Sequence, residues 1–148
     1  VSDALDVDFS DGIITNSSFN IIGNDGIDIS GSKVNINKIK LNKTGDKAIS
    51  VGERSNLLGN DIDISNSYIG IASKDLSKVK INNLNSKNVS FCFAAYQKKS
   101  EYGPGFIELK GSNKNCVTKF LLENGSSISS SEFNFIPNAN NVYQKLYK

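Results

Sequence analysis

At 148 residues, 38% apolar and 22% charged, the chain suits one domain with one core. No run approaches the roughly 20 apolar residues of a membrane span, and no basic-plus-apolar leader is visible. The absence of His excludes imidazole mechanisms and imidazole metal ligands, and a lone Arg54 without a basic–aromatic motif argues against nucleic acid.

Net charge is +2, unevenly placed. Residues 1–32 carry Asp3, Asp6, Asp8, Asp11, Asp25 and Asp28 and no Lys or Arg. One end is therefore acidic and the rest basic, as a solvated Lys-rich surface or as a means of steering a polyanion. The chain opens on VSDALDVDF rather than Met, which we read as a piece of a larger polypeptide, whose remainder is an expected partner.

The first candidate strand runs through Leu5 and Val7, and IITNSSF follows with Ile14 and Phe19. GIDISG then repeats the first phrase with Ile27 and Ile29, and VNINKIKL repeats the second with Val34, Ile36, Ile39 and Leu41. AISVGE supplies Ile49 and Val51, and Leu57, Ile62 and Ile64 follow after a one-residue insertion. GIASKD and VKINNL make the next round, and Phe93 and Ala95 open another. Leu5, Ile27, Ile49, Ile71 and Phe93 are each 22 residues apart. Apolar residues two apart mark a strand with one buried face, and a fixed period stacks the copies. Asn, Ser, Gly and Asp between the strands suit tight, left-handed corners and oppose helix. A sandwich of hairpins has no reason to repeat at this period.

The expected fold is therefore all-β, a single-stranded parallel β-helix with coils of about 22 residues. One domain spans 1–148, with regular coils over about 4–110. Residues 111–148 are less regular: KFLLENGSSISSSEFNF adds one or two coils, and NVYQKLYK caps the open end. Cys92 and Cys116 are 24 residues apart, close to one repeat. Two readings stay open for them, a disulfide across adjacent coils in a secreted protein and a pair of buried free thiols.

This pattern resembles the right-handed parallel β-helix proteins of the pectin-lyase-like superfamily, over about Ala4 to Lys110. The resemblance rests on repeat length and strand pattern. It implies a right-handed coil and, among relatives, polysaccharide lyases and glycoside hydrolases. The hydrolases use closely placed Asp residues, and Asp6 and Asp28 form one such pair on paper. The Ca²⁺-dependent lyases pair acids with a basic residue, and nothing around Arg54 matches that arrangement.

Three columns are expected to face outward on the repeated strand: Ala4, Gly26, Ala48, Gly70, Cys92; Asp6, Asp28, Ser50, Ala72, Ala94; and Asp8, Ser30, Gly52, Lys74, Tyr96. Small outward residues allow close approach, either of a glycan or of the chain's own C-terminal segment or another domain. The polar strand ends give the candidate ligand-binding set Asp28, Glu53, Lys74, Asp75, Tyr96 and Lys98. A solvated ladder is the bland alternative, and an acid–base centre the sharp one. The Asp-rich start has the oxygen ligands Ca²⁺ takes but neither an EF-hand loop nor a nonapeptide repeat, so no cofactor is expected. The functional expectation is a noncatalytic β-helix module of a larger secreted or cell-surface protein of bacterial type, contacting polysaccharide. The alternative is part of a carbohydrate-active enzyme whose remaining coils complete the site.

Overall fold

Three corners recur in each regular coil, and each turns on residues in the left-handed backbone region. Asn16, Lys38, Asp61 and Asn83 make the first, Ile21, Lys43, Asn66 and Asn88 the second, and Phe9, Gly31, Glu53 and Asp75 the third. Asn and Asp tolerate this conformation because their short polar side chains bond locally. The computed structural model describes residues 1–147, with the backbone alone at Lys114. Lys148, the last residue of the expected cap, lies outside the described residues.

The elements are β1 (Leu5–Asp8), β2 (Asp11–Ile22), β3 (Ile27–Ser30), β4 (Lys33–Gly52), β5 (Asn56–Lys74), β6 (Lys78–Tyr96), β7 (Phe106–Lys114), β8 (Phe120–Leu122), β9 (Ser127–Ser130) and the helix α1 (Val142–Leu146). Every strand pairing is parallel, in the order β1-β3-β4-β5-β6-β7-β9, with β2 on β4 and β8 on β6. The result is a β-solenoid of about six coils. The long strands bend at the corners, so β4 alone lines all three faces: residues 33–37 on the first, 39–42 on the second and 49–52 on the third.

Register follows the apolar columns. Leu5, Ile27, Ile49, Ile71, Phe93 and Phe120 stand in line across six coils on the third face. Ile27, Ile49, Ile71 and Phe93 are fully buried, and each such side chain contributes about 1.5–3 kcal/mol of burial. The one-residue insertion falls in the third corner, where Glu53 and Arg54 are both left-handed. A corner absorbs the extra residue without shifting any strand's face, whereas an insertion within a strand would turn its apolar side outward.

Serine lines the inside of that corner. Ser10 N–H donates to Ser32 Oγ (2.9 Å), Ser32 N–H to Ser55 Oγ (3.0 Å) and Ser55 N–H to Ser77 Oγ (3.1 Å). These bonds satisfy backbone donors that turn away from the ladder. Outside, amides stack coil on coil: Asn42 donates to Asn20, Asn88 to Asn66, Asn83 to Asp61 and Asn85 to Asp63, at 2.8–3.1 Å.

One expected outward column proves internal. Ala48 and Cys92 belong to the core. The chain turns a corner there, so Ala48 and Ile49, like Cys92 and Phe93, both face inward. Gly26 and Gly70 are needed at this turn, since a Cβ would lie 2.5 Å from Ala48 O and 2.6 Å from Cys92 O respectively. Cys92 is joined to Cys116 in a disulfide, with Cα atoms 5.3 Å apart.

The C-terminal region departs from the expected cap. Phe133 and Phe135, with ring centroids 4.8 Å apart, stack edge-on and close the core beside Phe120 and Phe93. The helix α1 instead lies against the outside of the third face, where Ala139 and Val142 pack with Ile69, Ala72, Ala94 and Tyr96.

Candidate functional site

The six residues singled out from the sequence fall into two groups on either side of the third corner. Asp28, Lys74 and Tyr96 lie on the outer third face, beneath the C-terminal segment. Glu53, Asp75 and Lys98 lie at the corner and in the loop that follows β6.

Lys74 is the centre of the first group. Its side chain runs back over Gly52, where a Cβ would stand 2.8 Å from Lys74 Cε, and its Nζ donates to Ser50 Oγ at 2.7 Å. Asp28 Oδ1 is 4.0 Å away. Burial pushes the ammonium below its ordinary 10.5, with Asp28 opposing and Lys47 adding to the shift. Tyr96 is fully buried; among the described residues its hydroxyl meets no hydrogen-bond partner, and burial, then Tyr147, push its pKa up.

Lys47, which the sequence did not single out, completes a buried ionic cluster. Its Nζ is 3.4 Å from Asp25 Oδ1 and also pairs with Asp46. Burial alone would lower its pKa, but Asp25, Asp46 and Tyr147 outweigh it and hold the ammonium above its ordinary value. The Tyr147 ring covers Lys47, 5.0 Å from Nζ to centroid, and its hydroxyl donates to Asp46 Oδ2 at 3.3 Å. The signal was present: Asp25 and Lys47 are one 22-residue period apart, in a column beside the ones considered.

The second group holds a loop. From Tyr96 the chain takes residues 97–105 before β7, a longer path than the three-residue crossing from Lys74 to Lys78. Asp75 Oδ1 accepts from the N–H groups of Lys98 and Lys99, both at 2.8 Å. Glu53 pairs with Lys99, and Arg54 stacks on Tyr102 at 5.6 Å. The Lys98 ammonium is exposed, 5.8 Å from the ring centroids of Tyr143 and Tyr147. Both carboxylates are thus engaged in holding backbone and side chains. The structure does not gather the six into one open site.

Asp6 and Asp28 are register partners, so their backbones are about 4.8 Å apart, one strand spacing. Burial, then Asp8, Asp28 and Asp3, raise the Asp6 carboxyl above the usual range. Among the described residues no group of three or more Cys, Asp or Glu is placed to hold a metal ion, and no helix is long and apolar enough to cross a membrane.

One open polar groove, of about 550 Å³, lies beside Lys98, between Gln97, Glu123 and Asn141, and a longer polar feature lies on the second face. Two shallow grooves meet on the outer second face and share Asp61 and Asp63. One, of about 490 Å³, continues to Lys38, Lys40 and Ser18, and the other, of about 330 Å³, to Asn83, Asn85 and Ser112. Together they form a lane along the coil axis from the first coil to β7. The lane is harder to read in the sequence because its polar columns are less regular than the apolar phrase through Ile27, Ile49 and Ile71. The columns Ser18, Lys40, Asp63, Asn85 and Asn16, Lys38, Asp61, Asn83 follow the same period once the one-residue insertion before Asn56 is allowed for.

No family model, curated protein or solved structure matches the chain.

Proposed function

We propose that the chain is a noncatalytic, right-handed β-helix module of pectin-lyase-like type in a larger secreted or cell-surface bacterial protein, and that it contacts polysaccharide along the second-face lane. The observation that carries this reading is the lane itself. It presents ammonium, carboxylate and amide groups at one-coil intervals, about 4.8 Å. A linear polymer of hydroxyl-bearing units meets such donors and acceptors repeatedly along its length. On the third face Lys47 and Lys74 are by contrast buried and engaged with Asp25 and Ser50. The Cys92–Cys116 disulfide suits an oxidising compartment.

The test is affinity electrophoresis through gels containing polygalacturonate or a neutral β-glucan. The chain is retarded by at least one of them, and Lys38→Ala/Lys40→Ala/Asp63→Ala weakens that binding about tenfold while leaving the circular dichroism spectrum intact. That loss corresponds to about 1.4 kcal/mol. Equal retardation of the variant removes the lane from the proposal.

The enzyme reading keeps one specific support, the Asp6–Asp28 pair with its raised Asp6. From a backbone spacing of about 4.8 Å, the two side chains would have to splay apart to reach the roughly 6.5–9.5 Å that separates the carboxyl groups of inverting hydrolases. Release of reducing ends or of unsaturated uronides from polygalacturonate supports this alternative.

A further inference from the structure

The two ends of the solenoid are unlike. At the β9 end, Phe133 and Phe135 close the core. At the other end, among the described residues, β1 pairs only with β3 and β2 only with β4, which leaves a hydrogen-bonding edge along both. Leu5, Val7, Ile14 and Phe19 face the core there but remain half-buried, whereas their register partners Ile27, Ile29, Ile36 and Leu41 are at most 1% exposed. Phe9, Ile13 and Ile21 are 79%, 74% and 72% exposed. A long, unpaired, apolar strand edge is a template for another strand.

We infer that this edge docks one further coil of the same polypeptide, running parallel to β1 and β2 and carrying Lys or Arg in register with Asp6 and Asp8. The inference rests on the reading of the chain as part of a larger polypeptide and deepens it by naming the surface and the chemistry of what covers it. Charge selects the occupant. Asp6 and Asp8 stand on the outer third face of the first coil, and residues 1–32 supply no basic side chain to balance them. Burial first, and then the neighbouring Asp8, Asp28 and Asp3, raise the Asp6 carboxyl. A second copy meeting edge to edge would set these acids against their own duplicates, which is destabilising. A coil with cations in those columns would pair with them as Lys47 pairs with Asp25 one coil away. Parallel direction follows from the existing stack, in which every coil is laid on the next in one sense.

The experiment compares three proteins by hydrogen exchange and sedimentation velocity: the 148-residue chain, the chain extended at Val1 by a designed 22-residue coil with Lys at the two positions in register with Asp6 and Asp8, and the same extension with Asp there. The unextended chain shows fast exchange at the edge-facing amides of β1 and β2. The Lys extension slows those amides at least 100-fold, and the Asp extension does so at least tenfold less. In D6N/D8N that difference disappears. Slow edge amides in the unextended chain, as a monomer or in a dimer, overturn the inference, and a dimer assigns the edge to a second copy. Equal protection by both extensions, or protection by neither, also overturns it. The unextended chain decides the openness of the edge even if an extended version does not fold. Polygalacturonate binding, measured on the same proteins, can fail without changing these outcomes, so a failure of the glycan reading is distinguishable from a failure here.

Discussion

Lys74 reaches across one coil to donate a hydrogen bond to Ser50 Oγ at 2.7 Å, passing over Gly52, whose missing side chain leaves room for it. This bond makes a buried ammonium tolerable. Ser50→Ala leaves Asp28, at 4.0 Å, as the nearest partner. The expected cost is about 2 kcal/mol for an under-satisfied buried charge. Lys74→Met removes the charge altogether and is expected to cost less, or to stabilise, because desolvation is relieved. Urea denaturation of the two variants checks the order. A larger loss in Lys74→Met would make the ammonium a net stabiliser.

The same lysine sets a pH dependence. Its folded pKa lies below 10.5 because of burial. Between the folded value and 10.5, the unfolded chain holds a proton that the folded chain has released. Stability from this site therefore rises with pH through that window. The urea midpoint of the wild type, measured relative to Lys74→Met, is expected to increase from pH 7 to pH 10. A flat or falling difference contradicts the assignment.

Cys92 and Cys116 close a loop with a sequence separation of 24. In the chain-entropy account such a loop contributes about 3.5 kcal/mol. Cys92→Ser/Cys116→Ser is expected to lose about that much in urea unfolding under non-reducing conditions. Addition of a thiol reductant should bring the wild type down to the variant and leave the variant unchanged.

Val142 is fully buried against the outer third face, among Ile69, Ala72, Ala94 and Tyr96. Val142→Ala is expected to cost about 2 kcal/mol through lost burial and the cavity left behind. Val142→Asp should release the C-terminal segment while the coils persist. The far-ultraviolet spectrum then stays β-type, and 1-anilinonaphthalene-8-sulfonate fluorescence rises several-fold as the apolar strip is uncovered. No rise would mean that the segment does not cover that strip in solution.

Much of the fold was legible because a solenoid writes its contacts at a fixed period: Ile27, Ile49 and Ile71 are partners in sequence spacing and in register alike. The insertion at Glu53–Arg54 was also readable, since later columns resume after it. Strict alternation failed at Ala48 and Cys92 because the chain turns a corner there, so that two successive residues (Ala48 and Ile49, Cys92 and Phe93) both face inward, which a period-two pattern does not show. The position of α1 was not legible either. Its fit depends on the flat strip formed by Ala72 and Ala94 on separate coils, which exists only after stacking. The candidate residues were recognised as polar strand ends. Whether such an end stays solvated, caps a loop as Asp75 does, or is buried as Lys74 is, depends on what later chain lies over it.

The central claim is that ligand contact belongs to the second-face lane and not to the exposed loop at Lys98. Retardation by polygalacturonate and by a neutral β-glucan, measured side by side for Lys38→Ala/Lys40→Ala/Asp63→Ala and for Lys98→Ala, tests it most directly. The account predicts retardation of the wild type and of Lys98→Ala, weakened about tenfold in the lane variant, a loss of about 1.4 kcal/mol. Loss of binding in Lys98→Ala with the lane variant unaffected, or release of unsaturated uronides by the wild type, would contradict it.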